Sequence, residues 1–409
     1  MNKSFLLLMF LPIFSRAQYT GTASVTRGLA TTVTTNLYTC AGGRIAGLGT
    51  IKAQDSTVWT VPAVVNFSNL SFPFASDLHN PCNGNNYANS TAALAALNGS
   101  DIVTVDASGE VITAYIFADN YFEMYINGTP VGKDNVPFTQ FNSNIIRFKV
   151  NRPFTIAMLL VDWEEHLGLG SEVNGPSQYH NGDGGMVAVF KDAKNNTIAI
   201  TGNNWKAQTF YTSPIADLTC PKETGTMRST SLCSTADVSN GSLLYGLHWE
   251  RPNNWTKSSF DFSNWPAASV YSNATVGVDN KSAYTNFVNI FDDSANDAQF
   301  IWSTNLILDN EVIVRYTVPA STGIINNGLN RNEVIVYPNP ATKEFKLSSD
   351  ESTIIENISK IIISNLFGEV VLETDNYKGA VNTENISPGI YFLTIETNRK
   401  QLIKKLIIE

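Results

Sequence analysis

The final 79 residues, Arg331 to Glu409, fall into runs too short and too β-branched for helices. Val334-Ile335-Val336, Glu344-Phe345-Lys346-Leu347, Ile361-Ile362-Ile363, Val370-Val371-Leu372, Tyr391-Phe392-Leu393-Thr394-Ile395 and Leu402 to Ile408 read as strands. Turn residues separate them: Pro338-Asn339-Pro340, Gly368, Asn376, Pro388-Gly389 and Asn398. Two prolines fix φ and remove two backbone donors, so Pro338-Asn339-Pro340 must turn and cannot lie in a central strand. Gly389 after Pro388 suits a tight turn that asks for positive φ. Strands this short and this regularly spaced predict a small β-sandwich over 333–409.

The N-terminus carries a different signal. Met1-Asn2-Lys3 is a short positive start, and Phe5 to Phe14 is apolar apart from Pro12. Ser15-Arg16-Ala17 puts small residues where a signal peptidase reads, so residues 1–17 are expected to be a signal peptide with Gln18 as the mature N-terminus. No later run reaches about 18 apolar residues, so no transmembrane anchor is expected.

Of 409 residues, 15% are charged, 43% hydrophobic and 11% aromatic, the profile of a secreted all-β protein. The formal charge is −9, and residues 18–330 carry all of it, because the slight positive charge of the leader cancels the slight negative charge of the tail. Phosphate contacts need clustered Lys and Arg, so nucleic acid and anionic lipid are poor partners, whereas neutral sugars stay open. The four cysteines, Cys40, Cys82, Cys220 and Cys233, favour disulfides in an exported chain, although four allow three pairings. The local solution, Cys40–Cys82 with Cys220–Cys233, is preferred. No Cys-x-x-Cys occurs, so zinc is not expected. No cofactor is called for; calcium on Asp and Asn loop oxygens is the ion these residue types suit, for stability rather than chemistry.

Residues 18–104 are Thr-, Ala- and Asn-rich, with strand material around Trp59 and a short helix over Ala92 to Leu97. From Val111 the strand pattern is plain. Tyr121 to Ile126 alternates, placing Phe122, Met124 and Ile126 on one face and Tyr121, Glu123 and Tyr125 on the other. Asn127-Gly128 supplies a hairpin turn. Ile145 to Val150 alternates, burying Ile146, Phe148 and Val150, and Phe154 to Val161 is apolar enough for a strand covered on both faces. A β-sandwich is expected over 105–318, followed by a Gly- and Asn-rich linker over 319–332.

Two resemblances attach to these phrases. Val336-Tyr337-Pro338-Asn339-Pro340, Leu366-Phe367-Gly368-Glu369-Val370-Val371, Ser387-Pro388-Gly389-Ile390-Tyr391-Phe392 and Lys404-Lys405-Leu406-Ile407-Ile408-Glu409 occur in this order at the C-terminus. The succession resembles the type A sorting domain of the bacterial type IX (Por) secretion system, an Ig-like β-sandwich. It implies a translocon as partner and a secreted or cell-surface destination reached through the periplasm. Tyr337, Pro338, Asn339, Pro340, Gly368, Gly389, Tyr391, Lys404 and Lys405 carry that signal. Phe117 to Gly132, Asn203-Asn204-Trp205-Lys206 and Phe260-Asp261-Phe262-Ser263-Asn264-Trp265-Pro266-Ala267-Ala268 resemble phrases of galactose-binding-like jelly rolls, with Phe262 where those carry an acidic residue. The expected fold is therefore all-β, a galactose-binding-like jelly roll followed by a small Ig-like sandwich.

The densest polar and aromatic cluster, Asp162-Trp163-Glu164-Glu165-His166, follows the most apolar strand, and loops at strand ends are where sandwiches place binding residues. An indole beside carboxylates suits a sugar, since the ring covers its apolar face while oxygens take its hydroxyls. Trp163, Glu164, Glu165, His166, Asp183, Asn203 and Trp205 are the candidate ligand residues. For any one of them the plainer reading is core filling or solvation. Gly182-Asp183-Gly184-Gly185 reads as a turn needing positive φ, since no helix follows to make a phosphate cradle. No catalytic residue is assigned: the chain has no Gly-x-Ser-x-Gly and no His-Glu-x-x-His, and Glu164 and Glu165 would point to opposite faces of a strand. Three readings stay open: a glycan-binding sandwich, an extracellular glycoside hydrolase, and a surface or adhesion protein without a small ligand.

Overall fold

The computed structural model describes residues 19–320, 334–348, 358–375, 377–397 and 401–409, with backbone alone at 401–403. The expected signal peptide, the linker beyond Ala320 and the turns at Asn376 and Asn398 lie outside these residues. The chain divides into two compact units between Pro319 and Ala320.

The first unit is all-β apart from a few short helical turns. One sheet has seven strands, ordered Ser24–Arg27, Tyr245–His248, Lys206–Ile215, Asp309–Val318, Phe154–Val161, Tyr121–Ile126 and Thr129–Lys133. The other has nine, built around Gly185–Lys191, Glu110–Asp119 and Ser143–Val150. Alternation sorts the side chains. Phe122, Met124, Ile126, Ile156, Met158 and Leu160 of the seven-stranded sheet pack into one core with Ile112, Ala114, Ile116, Ile146 and Phe148 of the nine-stranded sheet. The other face of the seven-stranded sheet is covered too: Tyr121, Leu159, Val161, Phe210 and Ile313 pack with Trp163, Trp249, Trp265, Phe67 and Phe138. That double cover explains why every residue of Phe154–Val161 is buried.

The Asn127-Gly128 hairpin forms as expected, with φ of 52° and 86°, joining Tyr121–Ile126 to Thr129–Lys133. The helix forms as Ser90–Ala96, capped by the Asn89 side chain, which accepts from the Ala92 amide at 3.0 Å. Residues 19–104 enter both sheets of the sandwich. Ser24–Arg27 pairs with Tyr245–His248, and Ser76–Asn80 pairs with Ser143–Val150. Both expected disulfides are present, Cys40–Cys82 with 42 residues of separation and Cys220–Cys233 with 13. Chain-entropy arguments value them at about 4 and about 3 kcal/mol. The phrase Phe260 to Ala268 lies over the same outer core: Trp265 is buried there, and Phe262 stacks on the buried Arg315 guanidinium at 4.5 Å. A cation–π contact thus occupies the position where a carboxylate was expected by resemblance.

The second unit has a three-stranded sheet, Ile335–Tyr337, Glu344–Ser348 and Val381–Asn382. A four-stranded sheet is ordered Val370–Thr374, Ile358–Ser364, Gly389–Thr397 and Gln401–Ile408. Phe345, Leu347, Ile361, Ile363, Leu393, Ile395, Leu406 and Ile408 form its core. Asn339, between the two prolines, clips the last strand. Its Nδ2 donates to the Lys405 carbonyl at 2.8 Å, and its Oδ1 accepts from the Ile407 amide at 2.8 Å. Gly368 is left-handed, with φ of 84°. Gly389 is not, contrary to expectation: it opens the strand Gly389–Thr397, opposite Ile408. Tyr391 is buried and its hydroxyl donates to the Ser387 carbonyl at 2.6 Å.

Candidate functional site

Beyond Val161 the chain leaves the sheet, but strong anchors hold it. The Asp162 amide donates to the Asn310 carbonyl at 3.0 Å, and the Trp163 amide to Asn120 Oδ1 at 2.5 Å. Alternation persists across this segment. The Trp163 indole turns into the outer core, where Nε1 donates to the Gly47 carbonyl at 3.0 Å and the ring meets Tyr121 edge-on at 5.8 Å. Asp162 and Glu164 line a cleft of about 60 Å³ with Asp119, Glu172 and Asp183. Phe138 and Phe141 supply apolar wall. Five carboxyl groups thus arrive from four separate chain segments.

Their electrostatics follow from burial. Asp119, Asp162 and Glu164 are almost wholly inaccessible, and burial pushes each far above the usual carboxylate range. Their negative neighbours push further: Asp183 acts on both Asp119 and Asp162, and Asp162 acts on Glu164. Burial raises Glu172 as well, against the opposing charge of Arg44. Proximity of the two side chains raises Glu164 further and works against the rise of Glu172. Burial brings Asp183 up to about 6, partly offset by Lys281 and His180.

Of the three glycines in this run, Gly185 takes the expected positive φ, 150°, while the other two serve a different purpose. Gly182 and Gly184 are not left-handed. A Cβ at Gly182 would run into the Glu164 carboxyl, and one at Gly184 into the Trp302 ring. Glycine is needed here for close approach.

The remaining expected residues separate. Glu165 leaves the cleft for an ion pair with Arg44 at 2.8 Å. His166 packs against the Tyr179 ring at 4.9 Å, with Nδ1 3.3 Å from Ser171 Oγ. Asn203 is exposed on a turn away from the cleft. Trp205 stacks on Tyr316 at 5.1 Å inside the main core, its Nε1 donating to the Ile200 carbonyl at 2.8 Å. Trp163 and Trp205 are both 0% exposed, so neither offers an indole face to a ligand. The stacking role expected for them is corrected: each ring finds more apolar contact in a core than at a surface. Asp119, Asp162 and Glu172 were missed as site residues. For Asp119 a usable signal existed, a carboxylate closing the run Ala114-Tyr115-Ile116-Phe117-Ala118 of its strand.

Raised carboxyls impose a pH dependence. Asp134, buried where it accepts from the Val136 amide and Asn142 Nδ2, is pushed up to about 8 by burial, and Asp183 to about 6. Each binds its proton more tightly folded than unfolded, so stability is greatest below the unfolded value and declines as pH rises through the folded one. Between pH 5 and pH 8 the protein should lose on the order of a few kcal/mol, read as a lower urea midpoint at pH 8. Asp134→Asn should flatten the profile; a midpoint that rises with pH would contradict the assignment.

Residues 335–409 match the secretion system C-terminal sorting domain family. No curated protein matches the chain. Among solved structures, Faecalibacterium prausnitzii beta-glucuronidase aligns at 10% identity over 75% of this chain, with a TM-score of 0.16. The aligned part spans 36% of that enzyme, and at this score the likeness carries no argument. No helix among the described residues is long and apolar enough to cross a membrane. The clipped, two-sheet C-terminal unit is thus the sorting domain of the type IX secretion system, and it marks this chain for export to the cell surface or the extracellular space.

Proposed function

We propose that the first unit is a galactose-binding-like jelly roll that binds glycan through the acidic cleft. The observation carrying this reading is the convergence of Asp119, Asp162, Glu164, Glu172 and Asp183 on one recess with apolar walls. Sugar hydroxyls are donors in search of acceptors, and carboxylates are the strongest acceptors a side chain offers. About 60 Å³ takes the hydroxyl edge of a terminal sugar and leaves the rest of the chain outside. Supporting the fold assignment, two of the resembling phrases touch: Lys206 Nζ donates to the Trp265 carbonyl at 2.9 Å.

Asp183 and Glu172 are the half-buried members of the set, and with Glu172 held by Arg44 at 3.2 Å, Asp183 is the one best placed to meet an incoming ligand. On a glycan array the mature protein should retain a defined set of sugars, and Asp183→Asn should weaken binding by about tenfold or more, the worth of one hydrogen bond to a charged acceptor. Retention of nothing by the native protein would end the glycan reading. The placing of Glu164 and Glu172 in one cleft, where their contact raises the first and lowers the second, favours a second reading, a glycoside hydrolase, since acid–base cleavage needs one protonated and one ionised carboxyl. Release of reducing sugar from a retained glycan, abolished in Glu172→Gln, would select it.

A further inference from the structure

A second, smaller cavity shares Asp162 and Glu164 with the acidic cleft. Its volume is about 10 Å³, the room of a single water or ion. Four of its lining residues each hold a buried polar atom that meets no hydrogen-bond partner: Asp162 Oδ2, Glu164 Oε2, Asn310 Oδ1 and Tyr211 Oη. The described residues contain fourteen such atoms, so four around one small cavity is a concentration rather than scatter. All four are oxygens. Buried polar groups in native proteins find partners, and a gathering of orphans points to a missing one.

The surroundings fix these oxygens. Asn310 Nδ2 donates to the Ser213 carbonyl at 2.8 Å and the Leu308 carbonyl at 3.2 Å, which assigns its Oδ1 as the end left over. Tyr211 stacks flat on His248 at 4.4 Å. Gly170, with φ of 54°, brings the neighbouring loop so close that any side chain there would strike the Asn310 amide. Asp162 and Glu164 form no ion pair among the described residues, while Arg44 is engaged by Glu165 and Glu172.

We propose that this cavity binds one calcium ion through Asp162, Glu164, Asn310 and Tyr211. An all-oxygen set with two carboxylates is the donor chemistry of a hard divalent cation. No sulfur lines the cavity, and the imidazole that does, His166, is engaged by Ser171 Oγ at Nδ1 and by the Tyr179 ring. Water fits the volume but not the charge: it brings two hydrogens to these oxygens and offsets neither carboxylate. Buried carboxylates persist when they are paired or coordinate metal. Extracellular modules bind calcium at about 0.1–1 mM, a concentration range suited to an exported protein. The inference goes beyond glycan binding and stands whether or not the cleft takes a sugar.

The test uses the full mature chain, stripped with a chelator, with Tb³⁺ as the spectroscopic probe and Ca²⁺ as competitor. Trp163 adjoins Asp162 and Glu164 in the chain, and Tyr211 lines the cavity, so excitation of these rings should sensitise one equivalent of Tb³⁺, displaced by Ca²⁺. Calcium should also raise the thermal midpoint. Asp162→Asn should weaken Ca²⁺ by about tenfold or more, since ligand charge sets affinity, and the milder Tyr211→Phe should weaken it less. No sensitised emission with no thermal shift would mean a water there and overturn the proposal. So would undiminished affinity in either variant, which would place the ion on surface carboxylates.

Discussion

A chain ending at Pro319 should accumulate in the periplasm, with little or none reaching the medium or the outer surface. The expectation rests on the match of residues 335–409 to a sorting domain and on the division of the chain into two compact units at that point. The truncation leaves the first unit's two cores and both disulfides intact, so retention would reflect loss of the label rather than misfolding. Immunoblots of periplasmic, surface and medium fractions measure it, with circular dichroism of the retained protein to show that it is folded. Export of the shortened chain at the native level would sink the assignment.

The second large effect concerns Trp163. Replacing this fully buried indole with alanine should cost about 3–5 kcal/mol, the range for large aromatic truncations in a core. The Gly47 carbonyl would also lose its donor. Urea denaturation of Trp163→Ala against the native protein measures the loss, and Trp163→Phe should recover much of it. A cost under about 1 kcal/mol would mean that the ring is far less embedded than its contacts require. If Trp163→Ala weakens glycan retention, unfolding accounts for it before any lost contact does.

How far the chain disclosed itself depended on the range of the interactions involved. The all-apolar run Phe154–Val161 announced a strand with cover on both faces, because local pattern and tertiary role coincide there. The hairpin at Asn127-Gly128 and the nearby cysteine pairs were legible for the same reason. Trp163 was misread because a sugar-facing indole and a core indole have identical local sequence. What decides between them is the outer layer of Phe67, Phe138, Trp249 and Trp265, gathered from distant parts of the chain. Residues 19–104 defeated parsing since they contribute brief strands, such as Ser24–Arg27 and Ser76–Asn80, whose partners lie far along the chain. Asp119 and Glu172 become site residues only through folding, which carries them beside Asp162 and Asp183.

The Asn339 clip bears on how the export address is presented. Pairing the entrance of the domain with its final strand means that the first and last motifs of the tail are neighbours in space, although 68 residues part Asn339 from Ile407. A receptor can therefore touch both at once, on a finished object, in a way no linear peptide would allow. The Glu409 amide closes the same seam on the Ala341 carbonyl at 2.9 Å, so the very terminus is built into the shape being recognised.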